Sequence, residues 1–241
     1  MAIPVIESST TNHSDGTTNS LSLAEPTGLA NDDLILVFIC NDLANSSTDQ
    51  FDATTNFPTG FTLSPFAESG GSFSDCHICC FWRIRTGAES WPISCPIAST
   101  NDACAFVLRV SGADTTTPIL VVGTAANTST PATVTEVDTT GTDDCLAFTV
   151  LCFDGGDGDA FGTASSGWTW QASIDSVTGG SSSTSIAGLG YGTKPMATAG
   201  VTGDCVVTAQ VTDGAAAYQF AVAPGGGGGG GGSPWHYYSQ Q

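Results

Sequence analysis

The sequence predicts an all-β protein, a sandwich or closed barrel of roughly a dozen strands, and three observations carry that expectation. Only 11% of the 241 residues are charged, while Gly, Ser, Thr, Asp and Asn abound. That mixture suits short strands joined by turns better than helices built from Ala, Leu, Glu and Lys. The 40% of residues that are hydrophobic fall in strand-length runs, enough for one large core or two small ones. Turn residues then mark each break between runs.

The runs follow one another along the chain. "PVIES" opens it, followed by "NSLSLAEP", the continuous apolar run "DDLILVFIC" and "GFTLSPF". Next come "DCHICCFWRIR", "SWPISCP", "ACAFVLRVSG" and "ILVVGTA". After a Thr-rich loop the pattern resumes with "ATVTEV", "DDCLAFTVLCF", "GWTWQASI", "STSIAGLGYG", "DCVVTAQV" and "AAYQFAVAP". Pro224 then ends the last strand, giving a β domain over 1–224 and a glycine spacer with an aromatic arm over 225–241.

The two halves echo each other. "LAEPTGLANDDLILVFICND" (23–42) resembles "VTEVDTTGTDDCLAFTVLCFDG" (134–155), with Asp32–Asp33 set against Asp143–Asp144. Each is followed by a Gly-aromatic strand, "TGFTL" and "SGWTW", and each half closes on an apolar strand, "ACAFVLRVSG" and "AAYQFAVAPG". An internal duplication explains the echo; shared β-sandwich grammar is the alternative.

Charge excludes some partners. Four basic residues, Arg83, Arg85, Arg109 and Lys194, stand against 23 acidic ones, for a net charge of −19. Such a surface repels nucleic acid and anionic membranes and keeps a protein soluble at high local density. "MAIPVIESST" has no secretory pattern, and no run is long enough for a membrane span, so membrane insertion is not expected. The nine cysteines sit mostly inside apolar runs, which reads as reduced, buried thiols in a chain made in a reducing cytoplasm.

Five stretches add a resemblance. Pro26-Thr27-Gly28 with "NDDLILVFI", Pro58-Thr59-Gly60-Phe61-Thr62, "CCFWRIRTGAESW", "CAFVLRVSGADTTTP" and "YQFAVAP" occur in that order. Together they resemble a domain family common in tailed bacteriophages and related bacterial genes, and they span about residues 1–224. That resemblance implies a jelly-roll-like antiparallel β-sandwich, here with two related halves and an extended Gly-rich C-terminal arm. It further implies association with a virion assembled in the host cytoplasm, and it supplies no catalytic residues.

Candidate sites weigh as follows. "CHICC" invites a zinc reading, but on a strand Cys76 and Cys80 share one face while His77 and Cys79 share the other, which favours core packing. Asp154, Asp157 and Asp159 lie in a glycine-rich loop that either wraps calcium or is a solvated turn. The histidines, one in the N-terminal loop (His13), one mid-strand (His77) and one in the tail (His236), adjoin no nucleophile motif, so no enzyme, cofactor or metal is expected. Arg83 and Arg85, spaced by two, pair either with a neighbouring subunit or within the chain. Trp168 and Trp170 share a strand face and would stack on sugar rings if exposed, the mark of a carbohydrate-binding module.

The tail completes the reading. Eight glycines, Gly225 to Gly232, precede Trp235, His236, Tyr237 and Tyr238. Such a spacer spans about 16 Å as a flexible chain and about 25 Å extended. It reads as an arm that straps the subunit to a neighbour through aromatic anchors; a tether folded back on its own domain and side-by-side packing of glycine runs are the alternatives. The whole then reads as a non-enzymatic virion protein, homo-oligomeric and contacting other virion proteins. In the tail-associated placement, loops 43–56, 66–74 and 153–166 meet a host glycan or protein. In the other placement the chain is a capsid decoration protein.

Overall fold

The computed structural model describes residues 1–15, 20–42, 58–68, 76–96, 102–123, 126–128, 132–154, 167–175, 187–207 and 215–226. Every regular element among them is a β-strand. The first half holds β1 (Val5–Asp15), β2 (Ser20–Leu23), β3 (Leu34–Asp42), β4 (Thr62–Glu68), β5 (Cys76–Ile84), β6 (Ile93–Pro96) and β7 (Asp102–Ser111). The second holds β8 (Ile119–Val122), β9 (Ala126–Thr128), β10 (Ala132–Val134), β11 (Cys145–Asp154), β12 (Thr169–Asp175), β13 (Ala187–Met196), β14 (Cys205–Val207) and β15 (Ala215–Val222).

The strands form an antiparallel sandwich. One sheet has the order β1-β7-β3-β5-β4 and the other β12-β13-β11-β15-β8, with β9 also on β15. Two short pairs, β2-β6 and β10-β14, lie apart from the large sheets. Each large sheet is therefore covered twice, by its fellow on the inside and by a short pair on the outside. That explains why "LILVFIC" is apolar without alternation: a strand covered on both faces has no polar side. Leu34, Leu36, Phe38 and Cys40 face the inner core, while Ile35, Val37 and Ile39 face an outer core closed by Leu21, Leu23, Ile93 and Cys95.

The inner core is aromatic. Phe38 has Tyr191 at 5.7 Å, Phe148 at 6.0 Å and Phe220 at 6.0 Å, and Phe148 stacks on Phe220 at 5.0 Å. The two outer cores differ. Under β2-β6, Phe61 meets Phe81 edge-on at 5.4 Å among Ile and Val. Under β10-β14, small residues (Ala147, Ala215, Ala217, Ala221, Cys145, Cys205) leave room that Trp168 fills.

The expected echo of the halves is visible in the topology. Exchanging β7, β3, β5 and β4 for β15, β11, β13 and β12 turns one sheet order into the other, with β8 and β9 together in the place of β1. The register differs by one residue from the sequence alignment. Leu34 and Leu146, and Cys40 and Cys152, hold matching inner-core places, which sets Asp32 against Asp144 and Asp33 against Cys145. The backbone agrees: Asp32 and Asp144 are the two non-glycine residues with positive φ among those described, at 69° and 59°. The winding is by halves, each large sheet taking its strands from one half, whereas jelly-roll strands alternate between sheets.

Three local expectations shift. His13, read as a loop residue, lies in β1, which runs on to Asp15. β9 arises inside the Thr-rich stretch read as a loop, because Ala126–Thr128 pairs with Ala215–Ala217. β13 runs on past Gly192 to Met196, since Thr193–Met196 continues the ladder with Cys145–Phe148.

Candidate functional site

The chain has four lysines and arginines, and the fold uses every one of them. Arg83, at the end of β5, sets its Nε 3.0 Å from Glu89 Oε1, and Arg85 Nε lies 3.2 Å from Glu89 Oε2. Arg85 reaches Glu25 as well, at 3.1 Å. The Glu89 side chain is only 2% exposed and also accepts from Thr86 N (3.0 Å), Thr86 Oγ1 (2.8 Å) and Gly87 N (3.0 Å). Burial pushes its carboxyl up, but the two Thr86 donors, its own backbone amide and the Arg83 charge outweigh burial and hold it at about 2.

The other two cations follow the same plan. Arg109 of β7 donates to Asp33 Oδ2 at 2.6 Å, and that oxygen also accepts Ala30 N at 2.7 Å. Lys194 of β13 donates to the carbonyl of Thr202 at 2.6 Å. Glycines make room for three of these side chains. A Cβ on Gly60 would sit 2.8 Å from Arg83 Nη1, one on Gly28 2.9 Å from Arg109 Nη1, and one on Gly167 3.2 Å from Lys194 Cε. Gly60 and Gly167 are matching positions in the two halves, at φ 84° and 87°.

The residues singled out in the sequence are therefore placed as follows. Arg83 and Arg85 come together, with partners inside the chain. Cys79 and Cys80 split between an outer core and the inner core, as strand geometry requires; the side chains of Cys76 and His77 lie outside the described residues. Among the described residues eight cysteine side chains are buried, and Cys40, Cys79, Cys80, Cys95 and Cys145 are in the thiol form. Burial raises Cys95 to about 12 and Cys145 to about 11, and it raises Cys40, Cys79 and Cys80 well above the ordinary thiol value. Among the described residues no cluster of His, Cys, Asp or Glu has the arrangement to hold a metal ion. Asp157, Asp159, Trp235, His236, Tyr237 and Tyr238 lie outside the described residues, as does loop 43–56. Trp168 is 7% exposed and packs in the second outer core, with Trp170 against it, so Trp168 offers no face to a sugar.

Sequence reasoning missed a buried polar network. Gln219, 0% exposed within the apolar run of β15, accepts from Thr202 Oγ1 at 2.7 Å and donates to the carbonyl of Val134 at 2.9 Å. Thr202 Oγ1 in turn accepts Val137 N at 2.9 Å. This network ties β15 to β10 and to the segments beside β10 and β14, and a leucine in its place would take one partner each from the Val134 carbonyl and the Thr202 hydroxyl. Glu89 was missed too, although it sits in the quoted stretch "CCFWRIRTGAESW"; an acid four residues after Arg85 was the available signal.

Chemically, the arrangement pairs the three arginines with carboxylates and commits Lys194 to a carbonyl, in a molecule whose net charge is −19. Comparison with known proteins finds no matching family model, no matching curated protein and no matching solved structure.

Proposed function

We propose that this chain is a non-enzymatic structural subunit of a tailed-phage virion, placed on the particle surface as a tail-associated fibre or adhesin component. The observation that carries the reading is the ordered set of five stretches that resembles the phage domain family. Their residues have fold-building work: Gly28 and Gly60 make room for Arg109 and Arg83, Glu89 anchors two arginines, and Phe61 closes an outer core. Among the described residues, Asp33, Glu89 and the four cations are committed to such internal contacts. The acidic surface fits a protein packed at high local density among other virion proteins.

The test is quantitative mass spectrometry of purified particles from a culture that produces this chain. A few to a few dozen copies per particle is the expected result. Hundreds of copies would move the protein to the capsid as a decoration subunit, and its absence from particles would overturn the virion reading altogether.

A further inference from the structure

We propose that the packed inner faces of the two large sheets form a dimer interface carried within one chain, so that each half is a module able to pair with the opposite half of a second copy. This proposal is independent of any virion role.

Reciprocity is the first argument. β5 packs against β11 and β15, and its counterpart β13 packs against β3 and β7; β4 faces β15 as β12 faces β7. Each of these contacts thus has a mate with the halves exchanged, as a twofold-symmetric, isologous interface requires; β4 also approaches β8, a contact that β12 and β1 do not match in extent. The ends of the halves obey the same exchange. Ala113 bridges Pro224, with Asp114 N donating to Ala223 O at 2.9 Å and Gly225 N to Gly112 O at 2.6 Å. The last residues of one half therefore pair antiparallel with the last residues of the other.

The distribution of cores is the second argument. Every buried residue of one outer core lies between Leu21 and Val107, and every buried residue of the other between Val134 and Ala221. Each half thus owns a complete core under its short strand pair, and the halves share only the inner, aromatic one. That shared core has the apolar character of an obligate dimer interface. A half by itself would expose the face holding Phe38 and Phe106, or the face holding Phe148, Tyr191 and Phe220, and such a patch seeks a partner.

The covalent link is the third. Residues 112–118 join β7 to β8, with Thr115, Thr116 and Thr117 exposed. Asp114 Oδ1 shapes the turn by accepting Thr116 N at 2.7 Å and Thr117 N at 2.8 Å. A link of equal length, residues 223–225 followed by 1–4, would join β15 to β1, whose place β8 and β9 take in the other half, and Gly112 brings Pro4 and Gly225 together. Either order of the halves is thus compatible with one sandwich.

The test places a site-specific protease sequence between Thr115 and Thr116 of the full chain and cuts the folded protein. The two fragments should co-elute at the size of the intact chain and part only in denaturant. Purified separately and remixed on dilution from denaturant, they should regain the near-ultraviolet circular dichroism of the uncut chain. The complex should then melt at a temperature that rises with protein concentration, while the uncut chain's does not. Fragments that part under native conditions, or fail to regain the signal where the uncut chain refolds, would overturn the proposal. If the insertion itself blocks folding, the deciding variant is a permuted full chain that starts at Thr116, joins Gln241 to Met1 and ends at Thr115. A folded permutant melting within about 4 °C of the natural order, which is about 1 kcal/mol for a chain of this size, supports interchangeable halves, and one that is unfolded or melts lower than that refutes them.

Discussion

Glu89 carries the heaviest electrostatic duty of any carboxylate described, with five donors on one buried group. Its carboxyl is held at about 2, below the ordinary 4.5. Above about pH 5 both the folded and the unfolded chain carry this charge, so its stabilisation is complete there. As pH falls below about 4.5 the unfolded chain takes up a proton that the folded chain refuses, and the stabilisation drains away until about pH 2. Glu89→Gln should therefore cost on the order of 2 kcal/mol near neutral pH, and its urea midpoint should fall less steeply than the parent's between pH 4.5 and 2. Parallel slopes in the two proteins would show that other carboxylates govern acid unfolding. The thiols give a second test at this scale. Burial raises Cys95 to about 12, Cys145 to about 11 and Cys40 well above the ordinary thiol value, so few of these thiolates exist at pH 8 and their alkylation in the native protein should be slow. Denaturation without reductant should release nine reactive thiols; seven would reveal a disulfide.

At the scale of elements, the paired turns before β4 and β12 offer a matched experiment. Gly60 and Gly167 share a positive φ, and each is closed over by a cation. Alanine at either should cost about 1–3 kcal/mol from backbone strain alone. Gly60→Ala should be the worse, because its Cβ meets Arg83 at 2.8 Å and Glu89 keeps that guanidinium from yielding, whereas Lys194 is met at 3.2 Å. Gly226→Ala, with nothing within 4 Å, is the control and should melt unchanged. Strands of this kind were legible because burial dictates composition: "LILVFIC" and "CLAFTVLC" had to be strands. β9 was illegible because Ala126–Thr128 has no apolar pattern of its own and pairs only because β15 presents an edge. The one-residue slip between the halves has a similar cause. Asp33 pairs with Arg109, but the second half has Cys145 and Ala221 at those places, so the acidic doublet slid by one while the core register stayed. Gln219 was hidden by its neighbours, since one polar residue inside "AAYQFAV" carries no sign of the Thr202 hydroxyl it meets.

For the molecule as a whole, charge and architecture point outward. With every cation spent internally, surplus acid accounts for the net charge of −19, and the folded chain repels itself at low ionic strength. Adding salt to about 0.15 M, where exposed charges more than about 8 Å apart are largely screened, should raise the melting temperature rather than lower it. A fall would mean that the internal ion pairs outweigh the surface repulsion. The arm tests the assembly role. The described cores end at Ala223, and Gly225 is the last residue with a described backbone partner, 2.6 Å from Gly112. Trp235→Ala combined with Tyr237→Ala should therefore leave the melting temperature of the isolated protein unchanged. If those rings anchor the subunit on a neighbour, the same change should sharply reduce incorporation into particles, because a buried aromatic anchor contributes about 2 kcal/mol or more at an interface. Loss of folding in the double variant would assign the aromatics to the domain's own core. Normal incorporation of a chain truncated after Gly226 would remove the arm from assembly, and attachment would then rest on the acidic sandwich and its loops alone.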